Sequence, residues 1–307
     1  MNKRILNLLV ITIVLITSYA CSSTSEISMA TYNVRYDNKN DAEKGNAWKD
    51  RCPVITEIIR YNDFEIFGAQ EVLEDMLASL PGYSFIGVGR DDGETKGEYA
   101  PIFYKTSRFE LLQSGNFWLS EETDYPNKGW DAVLPRICTW GEFKDKKSKL
   151  RFYFFNLHMD HVGIKARSES SKLVLRKIKE MCGNKPVILT GDFNVDQHHD
   201  NYHVLVNSGV LRDSYEATRL RFALNGTFNA FDPNLKTDSR IDHIFVSSGF
   251  NVEKYGILTD TYRTQVNDSI IKKGDFPKEV YSMDHVARLP SDHFPVKVNL
   301  SFNNSTR

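Results

Sequence analysis

The chain alternates short apolar runs with polar punctuation along most of its length. Runs rich in β-branched and aromatic residues occur at Ile27–Val34, Asp63–Gly68, Tyr83–Val88, Tyr99–Tyr104, Phe109–Leu119, Ile137–Phe143, Arg151–Leu157, Pro186–Thr190, Ile241–Ser247 and Phe294–Leu300. Each is strand-length and bounded by Gly, Pro, Asp or Asn, which predicts β-strands. Helical spacing is rarer. Val54, Ile55, Ile58 and Ile59 follow Asp50, read as a cap, and Pro53, placed in the first turn. Val174, Ile178 and Met181 mark a second helix, from about Lys165 to Met181, which Gly183 would end. Shorter helices are expected after Glu71 and near Tyr202 to Asn207. Many strands with few, dispersed helices suggest two packed sheets with helices outside; periodicity alone leaves α+β and layered α/β open. No segment repeats with the period of a solenoid, and no Pro- or Ser-rich linker divides residues 27–302, so one domain is expected over residues 29–303.

The first residues follow another pattern. Lys3 and Arg4 precede an almost wholly apolar run from Ile5 to Thr17, too short for a comfortable membrane span. Residues 1–21 therefore read as an export signal, with a retained membrane anchor as the alternative. Ala20-Cys21 followed by Ser22-Ser23 resembles a bacterial lipoprotein signal, in which Cys21 would carry the lipid. Ser18 departs from that pattern, where Leu is usual, so plain secretion stays open. Residues 22–28 would be a tether.

Composition narrows the rest. The 307 residues are 41% hydrophobic and 26% charged, enough apolar material for a large core and not a disordered chain. The formal net charge is −1, and loss of Lys3 and Arg4 leaves 37 basic residues against 40 acidic ones. No basic excess is available to neutralise a long nucleic-acid backbone, so nucleic acid is not favoured as a partner. Beyond Cys21 the cysteines are Cys52, Cys138 and Cys182, read as buried thiols.

The chemistry lies at the ends of the apolar runs. Asn33, Glu71, His158, Asp192 with Asn194, and Asp242 each follow or interrupt one, and Asp292 with His293 stand just before the last. A polar or charged group there is costly to desolvate unless it is paired, hydrated or bound to an ion. Carboxylates with an amide make an oxygen site for a hard cation such as Mg²⁺. Histidines beside aspartates suit proton transfer and anion stabilisation. Together they suit metal-assisted attack of water on a phosphoester. Arg136 could reach a phosphate as a fork, as could Arg167. Asp160 and His161 could extend that site or cap the loop before the next helix. His198, His199 and His203 imitate a second metal site, but the Asp196–Asp200 stretch reads more simply as a solvated loop.

The segments around Asn33, Gln70-Glu71, Asn156-Leu157-His158, Gly191-Asp192-Phe193-Asn194, Ile241-Asp242-His243 and Ser291-Asp292-His293 resemble, in order, those of the endonuclease/exonuclease/phosphatase (DNase I-like) superfamily. The resemblance spans about residues 28–302. It implies an α/β fold, a four-layer α/β sandwich of two mixed sheets face to face with helices outside. It implies that Glu71 is the principal Mg²⁺ ligand, with Asn33 and Asp292 close to the ion and Mn²⁺ as a substitute. It implies that Asp192 orients or deprotonates the attacking water. Asn194 would bond the phosphoryl oxygen, His293, held by Asp242, would be the general base or an electrophilic partner of the phosphate, and His158 would bind phosphate or protonate the leaving oxygen. Arg136, Asp160 and Tyr99 are the substrate-binding candidates. The expectation is an exported, lipid-anchored, monomeric Mg²⁺-dependent phosphoester hydrolase of a small phosphorylated molecule. A secreted nuclease is the runner-up, and a surface binding module without chemistry is the remote alternative.

Overall fold

The computed structural model describes residues 26–75, 80–271 and 282–302. The export signal, Cys21 and the tether up to residue 25 lie outside the described residues, as does part of the helix expected after Glu71.

Fifteen strands form two large mixed sheets and a hairpin among the described residues. In chain order they are β1 (Ile27–Asn33), β2 (Ile66–Gln70), β3 (Tyr83–Ile86), β4 (Ile102–Lys105), β5 (Phe109–Trp118), β6 (Ile137–Asp145), β7 (Arg151–His158), β8 (Val187–Asp192), β9 (Arg212–Asp213), β10 (Arg221–Phe222), β11 (Asp242–Val246), β12 (Phe250–Ile257), β13 (Tyr262–Ile271), β14 (Ser282–Arg288) and β15 (Val296–Phe302). The first sheet runs β10-β12-β15-β1-β2-β4-β3 and the second β5-β6-β7-β8-β11-β9, while β13 and β14 pair only with each other. The helices are α1 (Lys39–Glu43), α2 (Trp48–Tyr61), α3 (Ile164–Cys182), α4 (Asp200–Val206) and α5 (Ser214–Ala217). β1 starts at Ile27, inside the stretch read as tether.

Three apolar clusters make the layers. Ile27, Met29 and Ile66 of the first sheet meet Phe152, Phe154 and Ile188 of the second, so the sheets pack face to face. Ile55, Ile58 and Ile59 of α2 cover the outer face of β1 and β2 through Ala30 and Phe67. Leu173, Val174 and Ile178 of α3 cover the second sheet through Phe155 and Leu189. This is the four-layer α/β sandwich that the family resemblance implies. Two local expectations fail: Asp50 lies within the first turn of α2, where Ala47 occupies the cap without a side-chain bond, and Pro53 sits in the second turn, inside the helix. Cys52, Cys138 and Cys182 are free thiols; the latter two are buried and Cys52 half-buried.

Between the sheets runs a seam of polar groups. Gln70 Nε2 donates to Asn156 Oδ1 at 2.7 Å, and Asn156 Nδ2 donates to the carbonyls of Ala69 and Pro101. Thr190 Oγ1 donates to the same Asn156 oxygen. All three side chains are fully buried, so these bonds offset their desolvation and fix one sheet against the other. Gly68 permits this, because a Cβ there would collide with Asn156 Oδ1 and Thr190 Oγ1.

Candidate active site

Strand register assembles the first row of the site. In the parallel pair β7–β8, His158 lies opposite Asp192; in the antiparallel pair β8–β11, Asp192 lies opposite Asp242. Three chemistry-bearing residues thus stand side by side at one edge of the second sheet. The first sheet supplies Asn33 at the end of β1 and Glu71 just beyond β2. The segment leading into β15 supplies Asp292 and His293, and Ser291 Oγ ties it down by donating to the Asn33 carbonyl at 2.6 Å. The two sheets converge on one cleft of about 560 Å³, lined among others by Arg35, Glu71, Arg136, His158, Asp192, Asn194, Asp292 and His293. Backbone strain gathers there as well. Arg35, Glu71, Asn194, Ala230 and Phe231 are five of the eight non-glycine residues with left-handed φ among the described residues, and all five line the cleft.

The centre is a hydrogen-bonded network. Asn33 Nδ2 donates to Glu71 Oε1 and to Asp192 Oδ2, each at 3.0 Å. His293 Nδ1 and Asp242 Oδ2 are 2.8 Å apart, and His293 Nε2 lies 3.7 Å from Asp192 Oδ2. His158 Nε2 approaches the same Asp192 oxygen from the other side at 3.5 Å. Burial, then the neighbouring Asp242, pushes the Asp192 carboxyl up to about 7, while His293 and the Asn33 bond pull it back. Burial opposes charge on His293, yet Asp242 and then Asp192 overcome it and hold the imidazolium well above the usual histidine range. His158 goes the other way: burial, then Arg136 and Arg90, holds it neutral.

Two groups could hold a metal. Asp192, Asp242 and His293 bring ligand atoms within 4.8 Å of one another. The direct 2.8 Å bond between His293 and Asp242 leaves no room for an ion between them. The second group is Glu71 with Asp292, both buried carboxylates. Arg35 stands between them as a cation, Nη1 3.7 Å from Glu71 Oε2 and Nε 3.7 Å from Asp292 Oδ2. An all-oxygen pair already drawing a positive charge fits a hard divalent ion. Burial, then Glu71, raises the Asp292 carboxyl, against the pull of His293 and Arg35. Asn33 does not fit as a ligand in this arrangement. Its amide oxygen accepts from the Arg35 N–H at 3.0 Å, and its nitrogen faces the carboxylates, so it braces Glu71 and Asp192.

The remaining sequence candidates separate. Asn194 lines the cleft; its N–H donates to Asp192 Oδ1 and its Nδ2 to the Met159 carbonyl. Arg136 also lines it, 3.4 Å from Asp160 Oδ2 and 3.0 Å from His161 Nδ1. Asp160 is a correction: it is buried behind the wall, accepting the Val162 and Gly163 N–H groups and anchoring Arg136. Tyr99 is another. It bridges to Val72, its hydroxyl donates to the Glu94 carbonyl, and its neighbour Glu98 forms the cleft wall instead. Arg167 Nη1 donates to the Asp160 carbonyl. His199 accepts from Asn201 N at the start of α4.

Sequence reasoning missed three residues. Arg35 is one; its place beside Asn33 was the available signal. Arg51 is fully buried in α2 and donates to the carbonyls of Val34, Arg35, Tyr36, Asn46 and Pro290. It therefore knots together the backbone that carries Asn33, Arg35 and Asp292. Arg90 grips Glu98 with two 2.8 Å bonds, a pairing across a loop that no periodicity reveals.

Comparison with known proteins agrees with this geometry. Residues 30–293 match the model of the Endonuclease/Exonuclease/phosphatase family. A crystallised endonuclease/exonuclease/phosphatase family protein from Bacteroides thetaiotaomicron is 54% identical, with a TM-score of 0.84 over 91% of this chain and 98% of that one. A mannosyl-6-phosphatase from Bacteroides thetaiotaomicron is 55% identical, with a TM-score of 0.82 over 90% of this chain and 100% of that one. The human Nocturnin catalytic domain, at 17% identity and a TM-score of 0.63, shares the fold.

Proposed function

Because the chain belongs to the endonuclease/exonuclease/phosphatase family, we propose that it is an exported, Mg²⁺-dependent phosphatase acting on a small phosphorylated sugar. One observation carries the hydrolytic reading: His158, Asp192, Asp242 and His293 form a continuous buried network beside the Glu71–Asp292 carboxylates in a single cleft. The sugar-phosphate preference rests on the 55% identity to a mannosyl-6-phosphatase and on the lack of a basic excess for a nucleic-acid backbone.

Glu71 and Asp292 would hold the ion, which would supply Lewis-acid polarisation of a phosphoryl oxygen. The chain's own groups do the rest. Asp192, with its carboxyl raised toward neutrality, orients a water and takes its proton at Oδ2. Asn33 holds that oxygen in place. His293, kept protonated by Asp242, donates through Nε2 to the phosphoryl oxygen as charge builds there. Arg136 offers a fork to the phosphate from the opposite wall. Neutral His158 aligns Asp192 from the far side.

The test is phosphate release with Mg²⁺ from mannose 6-phosphate, p-nitrophenyl phosphate and bis-p-nitrophenyl phosphate, alongside plasmid DNA. The sugar monoester should turn over fastest, and chelation should abolish turnover. Plasmid degradation with negligible release from the small esters would reverse the substrate assignment in favour of a nuclease.

A further inference from the structure

On the outer face of the first sheet the apolar cluster under helix α2 extends over β1, β2 and β4, through Ala30, Phe67 and Phe103. Across β15, β12 and β10 the short helix α5 packs on the inner side, with Tyr215 against Tyr255 of the core, and none of the apolar clusters among the described residues includes the outward Lys254, Lys297 or Asn299. A shallow depression lies there, lined among others by Leu220, Phe222, Lys254, Lys297 and Asn299. At its edge Leu220, Phe222 and Leu224 follow at every second position and are 59%, 64% and 64% exposed. Three large apolar side chains so open within five residues are uncommon on a protein surface and mark a contact face. β10 is only two residues long, too short to template a partner's strand.

The chain enters the fold at this face. Glu26 accepts from Asn299 Nδ2 at 3.0 Å, and Asn299 lines the depression. The sequence before Glu26 holds the apolar run Ile5–Thr17 and Cys21, the residues read as the route to a membrane. Lys254 and Lys297 add positive charge beside the apolar row, the combination that anionic headgroups attract. Tyr61, 90% exposed beside Asn62 of the same depression, adds an amphipathic aromatic of the kind found at bilayer interfaces.

We propose that this uncovered half-sheet docks on an anionic phospholipid bilayer, with Leu220, Phe222 and Leu224 entering the headgroup boundary. The docking rests on the export reading above, but not on hydrolysis. It gives the protein a second hold on the membrane beside the one near its first residues.

The test uses the chain from Ser22, which keeps both sheets and all the apolar clusters but lacks any anchor. Co-sedimentation is measured with vesicles of phosphatidylethanolamine and phosphatidylglycerol and with vesicles of phosphatidylcholine. Binding to the anionic vesicles should exceed binding to phosphatidylcholine and weaken with salt. Phe222→Ser should lower it roughly tenfold, and Lys254→Glu with Lys297→Glu should remove the salt dependence. Phosphate release from p-nitrophenyl phosphate and the melting temperature should stay as in the parent, which separates this outcome from misfolding and from failure of the hydrolase reading. Equal sedimentation of parent and Phe222→Ser, or none above phosphatidylcholine, overturns docking. A dimer seen by light scattering and lost in Phe222→Ser would instead assign the face to a second copy of the chain and overturn it too.

Discussion

One wall of the cleft sets carboxylates around a single arginine, and the other sets two arginines held by Glu98 and Asp160. On one side Glu71, Asp292 and Asp41 surround Arg35; on the other Arg136, with Arg90 behind it, faces His158 and His161. Each wall decides the state of the histidine nearest to it. His293, among aspartates, is held protonated, and His158, among arginines, is held neutral. Both are buried, so desolvation alone would drive both neutral; the difference lies in the neighbours. One residue type thus supplies a cationic donor and a neutral partner on either side of the same Asp192 carboxyl.

The largest effect should come from dismantling one wall without touching the other. Arg51→Met takes the guanidinium from five backbone carbonyls of the acidic wall, of which that of Tyr36 keeps the Asn38 amide. The expected loss is at least about 3 kcal/mol of stability, since each buried group left unsatisfied costs about 1–3 kcal/mol. Denaturant unfolding reads this directly, and a change below about 1 kcal/mol would mean that the wall stands without Arg51. Next come the groups between the walls. Asp192→Ala and His293→Ala should each reduce kcat/KM by at least ~100-fold, the scale of one acid–base or electrostatic contribution. Rates unchanged in both would refute the roles given to them.

The contrast between the histidines has a pH signature of smaller size. For His158 the folded value lies below the unfolded one, about 6.5. The unfolded chain therefore takes the proton first, and the fold loses stability as pH falls below about 6.5. For His293 the folded value lies above it. Its stabilisation is complete below about 6.5 and is lost as pH rises through the folded value. Melting temperatures across pH should therefore decline on both sides, with His158→Gln flattening the acid limb and His293→Gln the alkaline one. If either variant flattens the opposite limb, the assignment of charge to the two walls is inverted. Smallest of all, Tyr99→Phe should leave kcat/KM within about twofold, because its hydroxyl only donates to the Glu94 carbonyl outside the cleft. A tenfold loss would return Tyr99 to the substrate wall.

The strands that carry the chemistry were legible because the site lies where apolar runs stop. β1, β2, β7, β8, β11 and β15 all stand out as such runs, and their register alone brings His158, Asp192 and Asp242 together. Between Arg212 and Arg288 the pattern failed for β9, β10 and β12 to β14. β9 and β10 are two residues long, and β12 buries only part of its length, so no apolar run marks them. Arg51 was illegible for another reason: within a helical pattern an arginine signals solvent, and only the folded backbone of distant loops makes it a buried donor. Asp160 misled because proximity in sequence to His158 does not set which side of a loop faces the cleft, and Tyr99 because the region that lines the cleft in the family does so here through its neighbour Glu98. Asn33 was found, but the direction of its amide depends on Arg35 N–H, a bond that composition and spacing do not encode.

His158, Asp192 and Asp242 owe their alignment to hydrogen-bonded neighbours in a sheet rather than to the loops around them. The loops at the mouth of the cleft that carry none of Arg35, Glu71, Asn194, Asp292 and His293 are thereby released from positional duty. Swapping them between relatives is a route by which one hydrolytic centre can be inherited intact while its diet changes.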